Sequence, residues 1–253
     1  DAPRNLRMES KRLAQILVNF VRRHPEEYAV LFDLLTVFST GQAVDFSALV
    51  TFLSLDIARE FNMDTKRAIL EHWIALYKSG ALAHDDGVNA MRYLINPMVL
   101  WATTHSQQDL FAPAVVSSLV TDVFRTPEAG APAEQLQIEV IRLCSIVLQH
   151  AHALFDVHKK DLIQYVWWTL KQDNTAKAYA FLCVAHFFRA FPGVGEPVML
   201  KAFVNMVRMS PVDAASRDAV RQAIDLMVPA LQSLDTSVGG PECESRAPPH
   251  APS

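Results

Sequence analysis

The chain has 253 residues, of which 51% are hydrophobic and 20% charged, and a formal net charge of -4. That balance excludes an intrinsically disordered chain, which lacks the apolar material to close a core. Lysine and arginine occur in scattered ones and twos, such as Arg22-Arg23, Lys66-Arg67 and Lys159-Lys160, which argues against a protein whose main work is holding phosphate backbones.

The stretch Asn5 to Phe38 reads as two amphipathic helices joined at Arg23-His24-Pro25. Leu6, Leu13, Ile16, Leu17, Phe20 and Val21 recur at the three- and four-residue spacing that places side chains on one face. Pro25 biases His24 away from helical angles yet suits the first position of a new helix, where Glu26 and Glu27 complement the dipole. The second helix would bury Tyr28, Leu31, Phe32, Leu34, Leu35 and Phe38. Neither helix hides its stripe alone, so an antiparallel helical hairpin is the expected building block.

Gly41 lies in a polar break, and Asp45 can cap a helix through Phe46, Leu49, Val50, Phe52, Leu53, Ile57 and Phe61 that ends at Asn62-Met63-Asp64. From Thr65 the next helix carries Ile69, Leu70, Trp73, Ile74 and Tyr77 up to a Ser79-Gly80 stop. This second pair follows the first by about forty residues, a spacing that suits HEAT-type units. A third unit is expected from Asp85 to Thr103 and from Gln108 to Phe124. Pro97 interrupts its first helix at a cost on the order of 3 kcal/mol, so a bend is expected there. Thr126 to Pro132 is the clearest interior loop.

Beyond it, Leu136, Ile138, Val140, Ile141, Leu143, Ile146, Val147 and Leu148 form a broad apolar helix, with Leu162, Ile163, Val166, Trp167 and Leu170 on its hairpin partner. Asn174 starts a helix through Tyr179, Phe181, Leu182, Val184, Phe187 and Phe188 that is polar on almost no side, as expected when neighbours cover both flanks. A break at Pro192-Gly193-Val194-Gly195 precedes a helix from Val198 to Met209. Asp213 to Leu231 gives a last helix with Pro229 near its end. From Ser233 the sequence turns to proline, serine and glycine with almost nothing to bury. The expectation is an all-α solenoid of about eleven helices over residues 1–232, followed by a disordered tail over 233–253.

The run ESKRLAQILVNFVRRHPEEYAVLFDLLTVF from Glu9 to Phe38 is followed by VDFSALVTFLSLDIAREF and KRAILEHWIALYKS, and then by INPMVLWA, HKKDLIQYVWWTLKQDN and VRQAIDLMVPAL in order. Together these resemble the helical-repeat region of the transformation/transcription domain-associated protein family over residues 4–232. The resemblance implies a catalytically silent member of the phosphatidylinositol 3-kinase-related kinases. Such a member scaffolds histone acetyltransferase complexes in the nucleus and receives transcription activators. Its partners would then be proteins, namely activators and complex subunits, with no direct nucleic acid and no membrane. The alternatives are the helical arm of a catalytically active kinase of the same class and, more remotely, a transport receptor of the importin type.

Motifs for chemistry are nearly absent. His150 and His152, with Cys144 and His158 nearby, suggest a metal, but residues two apart face different sides of a helix and no tight Cys or His pair completes a tetrahedron. His84-Asp85-Asp86 lacks the rest of a kinase catalytic loop, and Gly193-Val194-Gly195 is not a phosphate-cradling loop. No catalytic, cofactor-binding or metal residue is assigned, and no cofactor is expected. Cys144, Cys183 and Cys243 have neither the number nor the spacing of a disulfide framework, which fits a reducing cytosolic or nuclear compartment. The chain shows no signal-type segment. Its longest apolar run, Ala178 to Phe188, is about half the ~20 residues of a membrane span, so a soluble protein is expected. Trp73, Trp101, Trp167 and Trp168 read as core residues, with one of the adjacent pair Trp167 and Trp168 facing outward.

Overall fold

The computed structural model describes residues 58–127 except 83, 132–208, 211 and 213–238, with scattered positions between Asn5 and Glu27. Among the described residues there are nine α-helices and no strand. The described positions from Asn5 to Arg23 are helical, and Leu13 packs on the core as its stripe predicts, whereas Ile16 and Phe20 of that stripe are exposed. The expected helices over Tyr28–Phe38 and most of Phe46–Phe61 lie outside the described residues, as do 128–131 and 239–253.

Helix α1 (Met63–Ser79) begins where the preceding helix was expected to end. The preceding helical run stops at Glu60, and the Asn62 side chain accepts a hydrogen bond from the Thr65 amide at 2.8 Å, so Asn62 also caps the start of the next helix. Gly80, at φ 68°, closes the helix in the left-handed conformation and donates its N–H to Leu76 and Tyr77.

The third unit is one helical run in three parts: α2 (His84–Ala90), a π-helical turn at Met91–Ile95, and α3 (Asn96–Thr104). Pro97 stands in the first turn of α3, directly after the widened turn, in which the Asn96 amide donates to Met91 O five residues back. The proline's missing donor is thus met by a local change of hydrogen-bond register. The following helix does not begin at Gln108 as expected: Gln108–Leu110 is a single 3₁₀ turn, and α4 (Pro113–Ser118) starts on Pro113 and passes into a second π turn, Leu119–Val123.

Helix α5 (Glu134–His150) leads through a 3₁₀ segment at His152–His158 into α6 (Lys159–Leu170), and the chain bends by 109° between Glu134–His150 and His152–Leu170. Helix α7 (Ala176–Ala190) follows, then α8 (Pro192–Val207) and α9 (Ala214–Val238). Phe191 alone separates α7 from α8. Pro192-Gly193-Val194-Gly195 forms the first turn of α8 instead of a break, because proline at the first helical position loses no hydrogen bond. Asp213 accepts the Ser216 amide at 2.8 Å and so caps α9, whose backbone continues helically past the expected tail start at Ser233 as far as Val238.

Like helices stack in parallel, one repeat apart. Gln137 of α5 meets Asn174, 37 residues on, and Arg142 meets Tyr179 of α7, also 37 residues on. Asn96 of α3 meets Glu139 of α5 at a separation of 43. In the second layer, Lys66 of α1 donates to Gln107 at a separation of 41, and Arg67 donates to Asp109 at a separation of 42. The Phe111 ring meets Phe155 edge-on at 5.7 Å, and Phe124 lies 6.0 Å from Tyr165. Contacts that rise together along both helices mean parallel neighbours, and their separation is the repeat length read from the sequence.

The core is continuous from Phe61 to Met227. Helix α7 lies at its centre and packs against α5, α6, α8 and α9. Its residues Ala178, Ala180, Phe181, Cys183, Val184, Ala185 and Phe187 are all buried. The small alanines let neighbouring helices approach closely while the phenylalanines fill the spaces between layers. Replacing Phe181 by alanine should therefore cost about 3 to 5 kcal/mol. A urea titration followed by circular dichroism checks this, as an earlier midpoint with unchanged helical signal before the transition.

Candidate docking groove

Alternate helices expose one face of a layer, and a groove of about 870 Å³ runs across it. It is lined by the Met91–Ile95 turn and by α3, α5, α7 and α9. Leu100, Trp101, Ile146 and Leu182 supply the apolar wall, and Arg92, Asn96, Glu139, Arg142 and Tyr179 a polar strip beside it. Leu100 is 41% exposed.

The polar strip is organised by one carboxylate. Glu139 interrupts the apolar face of α5 and is only 1% exposed. Arg92 Nε donates to its Oε1 at 2.9 Å and Arg142 Nη1 donates to the same oxygen at 3.2 Å. Asn96 Nδ2 donates to its Oε2 at 3.1 Å and to its backbone oxygen at 3.2 Å. A buried charge is tolerated only when it is paired and hydrogen-bonded in this way. Arg142 also reaches the Tyr179 hydroxyl at 3.4 Å and lies 4.7 Å from the centre of that ring, tying α5 to α7. Burial opposes the charge on Arg92, but the hydrogen bond and attraction of Glu139 outweigh it and raise its pKa.

At the end of the strip His186 is 8% exposed. Burial, with the nearby positive charge of Arg189 and the ring of His150, holds its pKa down at about 4. Trp101 stacks on His105 at 3.6 Å, with the Arg59 guanidinium 5.3 Å from its ring centre.

The residues singled out for a possible metal are not brought together. Cys144 is buried in the core beside Cys183, His152 is exposed against Phe191 at 6.1 Å, and His158 Nδ1 sits 3.8 Å from Asp161. Among the described residues, no group of three His, Cys, Asp or Glu side chains could hold a metal ion. Asp85 is an exposed residue of the first turn of α2. Trp73 is buried in the core. Trp167 and Trp168 are both half-buried against it, with Trp168 stacked 6.1 Å from Tyr165, so neither faces outward as expected. The apolar run Ala178–Phe188 is an interior helix, and among the described residues no single helix is long and apolar enough to cross a membrane. Arg92, Glu139 and Arg142 were not singled out by the sequence. The available signal was a glutamate and Gln137 placed inside an otherwise apolar helical stripe.

The family model described as the Tra1 HEAT repeat ring region matches residues 2–241. Probable transcription-associated protein 1 of Dictyostelium discoideum is 22% identical over 232 residues, covering 89% of this chain and 5% of that protein. Transformation/transcription domain-associated protein of Homo sapiens is 21% identical over 244 residues, covering 88% of this chain and 6% of that protein. The SAGA complex/NuA4 acetyltransferase complex subunit TRA1 of Saccharomyces cerevisiae is 28% identical over 107 residues, 42% of this chain and 3% of that protein. The chain thus spans a small fraction of the length of these relatives. No solved structure matches.

Two outcomes test this geometry. Glu139→Ala leaves Arg92 and Arg142 facing each other without their shared anion, and should lower stability by about 1 to 3 kcal/mol in a urea titration. His186 is neutral in both states well above its ordinary pKa of 6.5; as the pH falls toward about 4, the unfolded chain takes up a proton that the folded chain refuses. Stability is therefore lost across that window, by up to about 3 kcal/mol from this residue. Burial lowers the pKa of His150 as well, so it acts in the same direction. His186→Gln should flatten, without abolishing, the fall in the urea midpoint between about pH 7 and pH 4.5.

Proposed function

The chain belongs to the family of the Tra1 HEAT repeat ring region, and from that premise we propose that it is a non-catalytic scaffold segment of a transcription-associated protein working within histone acetyltransferase complexes. The observation that carries the reading is the family match across residues 2–241, joined to a structure whose repeats bury one another and leave an open groove lined by arginine and apolar side chains. In this role the segment docks complex subunits and transcription activators in the nucleus. The relatives are named for transcription association or for membership of SAGA and NuA4 acetyltransferase complexes, which supports protein partners of that kind. Repeat stacks suit the task because nearest-neighbour packing makes a long continuous surface without a closed pocket.

The test is to immobilise the 253-residue chain and challenge it with purified subunits of SAGA- and NuA4-type complexes and with activation segments of transcription factors. The expected result is retention of at least one of these with a Kd on the order of micromolar. Retention of none of them by a chain with full helical signal overturns the docking role. The alternative of a helical arm on an active kinase is separated by purifying the parent protein. Co-purifying histone acetyltransferase activity supports the scaffold, and ATP-dependent phosphotransfer by the parent protein overturns it.

A further inference from the structure

Helices α1 and α3 close in the same way. Beyond each, an amide bonds a carbonyl five residues back, Ala81 to Leu76 at 3.1 Å and Gln107 to Ala102 at 2.8 Å, across one residue in the left-handed conformation. After α1 that residue is Gly80. After α3 it is Ser106, at φ 57°, the one non-glycine residue with a positive φ among the described residues. A Cβ makes this conformation costly, so serine there opposes folding relative to glycine. Its hydroxyl offers no compensation, being exposed and, among the described residues, without a hydrogen-bond partner. The neighbouring hydroxyls are used otherwise: Thr103 donates to Val99 O at 2.8 Å and Thr104 to Leu100 O at 2.7 Å. A strained residue whose functional group bonds nothing points to a use outside the fold.

The turn that carries Ser106 is held by two cations of α1. Lys66 Nζ donates to the Gln107 side chain at 3.0 Å, and Arg67 Nη2 donates to Asp109 O at 2.6 Å. Lys66 is only 1% exposed, and among the described residues no carboxylate pairs with it. Burial lowers its pKa with no anion to offset the effect. A buried ammonium held by one neutral amide oxygen lacks its counter-ion. That amide belongs to the residue next to Ser106. Asp109, three residues after Ser106, is exposed.

We propose that Ser106 is a phosphorylation site for an acid-directed serine kinase, one that reads the Asp109 carboxylate three residues on, and that the phosphate supplies the anion Lys66 lacks. ATP provides the γ-phosphoryl group. The bond from Ser106 Oγ to phosphorus forms as the bond from phosphorus to the departing ADP oxygen breaks, and the hydroxyl proton is released to solvent. The phosphate brings a charge of about -1.5 to -2 and three acceptor oxygens. Asp109 and the carbonyl end of α3 oppose that charge, but Asp109 is screened by solvent and the helix-end effect is small, whereas Lys66 is buried and screened little. With Arg67 beside Lys66, attraction wins and α1 is fastened to the turn after α3. The modification is a clamp between successive repeats, and it does not rest on the docking role proposed above.

The experiment incubates the full 253-residue chain with ATP and casein kinase 2, an acid-directed kinase, and maps the product by fragmentation mass spectrometry. One phosphoryl group is expected on Ser106, and none at that place in Ser106→Ala. No incorporation, or incorporation undiminished in Ser106→Ala, overturns the site. A chain carrying phosphate on Ser106 from its synthesis tests the counter-ion. Its folding equilibrium constant in a urea titration should rise by about tenfold, the worth of one charge-assisted hydrogen bond. In a Lys66→Met background the gain should shrink to about twofold or less, with Lys66→Gln as the second background and circular dichroism as the check that each is folded. An equal gain with and without Lys66, or a loss on phosphorylation, overturns the clamp. Unmodified Ser106→Gly should raise the same constant by about two- to fivefold through relief of the left-handed conformation. A fall instead means that the hydroxyl serves the fold, and overturns the inference.

Discussion

A helix that is apolar on opposite flanks must have neighbours on both, and α7 is such a helix. No single hairpin partner could bury Phe181, Cys183, Val184 and Phe187 together with the alanines between them, all of which are buried. The chain answers by laying α5 on one side and α9 on the other, with α6 and α8 packed on its remaining faces. Once one helix is flanked by like helices of the adjoining repeats, a layer has begun. The parallel rungs, the separations near forty residues and the groove across the layer all follow from that requirement.

Much of this was legible in the sequence. The apolar spacing located the helices from Met63 to Leu231, the interval between pairs matched the observed stacking, and the near-absence of polar positions in α7 announced its central place. What failed was punctuation. Asn62-Met63-Asp64 follows the helix end that was expected but also opens the next helix, and Pro192-Gly193 was read as a break although it starts one, because a cap or a proline marks a boundary without saying which helix it serves. Pro97 was expected to interrupt its helix and does so next to a π turn at Met91–Ile95, a widened turn that leaves no composition signal. The sequence placed a hairpin break between α5 and α6, but the 109° bend there runs through a 3₁₀ segment, His152–His158, that it did not specify.

The groove was far less legible. Its polar strip draws Arg92, Glu139 and Arg142 from two repeats, and each alone looks like an ordinary solvated residue of an amphipathic helix. Only the fold shows that Glu139 is buried and that two cations converge on it. The hint lay in Gln137 and Glu139 falling where the stripe calls for aliphatic residues. A polar group placed there needs partners on the neighbouring segments: Gln137 Oε1 accepts from Asn174 although its buried Nε2 has no partner, and Glu139 accepts from Arg92 and Asn96. The same bonds that make the strip also fix the register between successive repeats.

That double duty has a mechanical consequence. Because each rung is tied only to the rungs beside it, a small rotation at one level shifts the next by a similar amount without rupturing any bond, and such increments sum along the stack into a large change of curvature. Anything that drew Arg92 and Arg142 closer together would tighten the spacing between the Met91–Ile95 turn and α5. The motion would be felt as bending far along the same polypeptide, much as pinching one pleat of a bellows swings its free end.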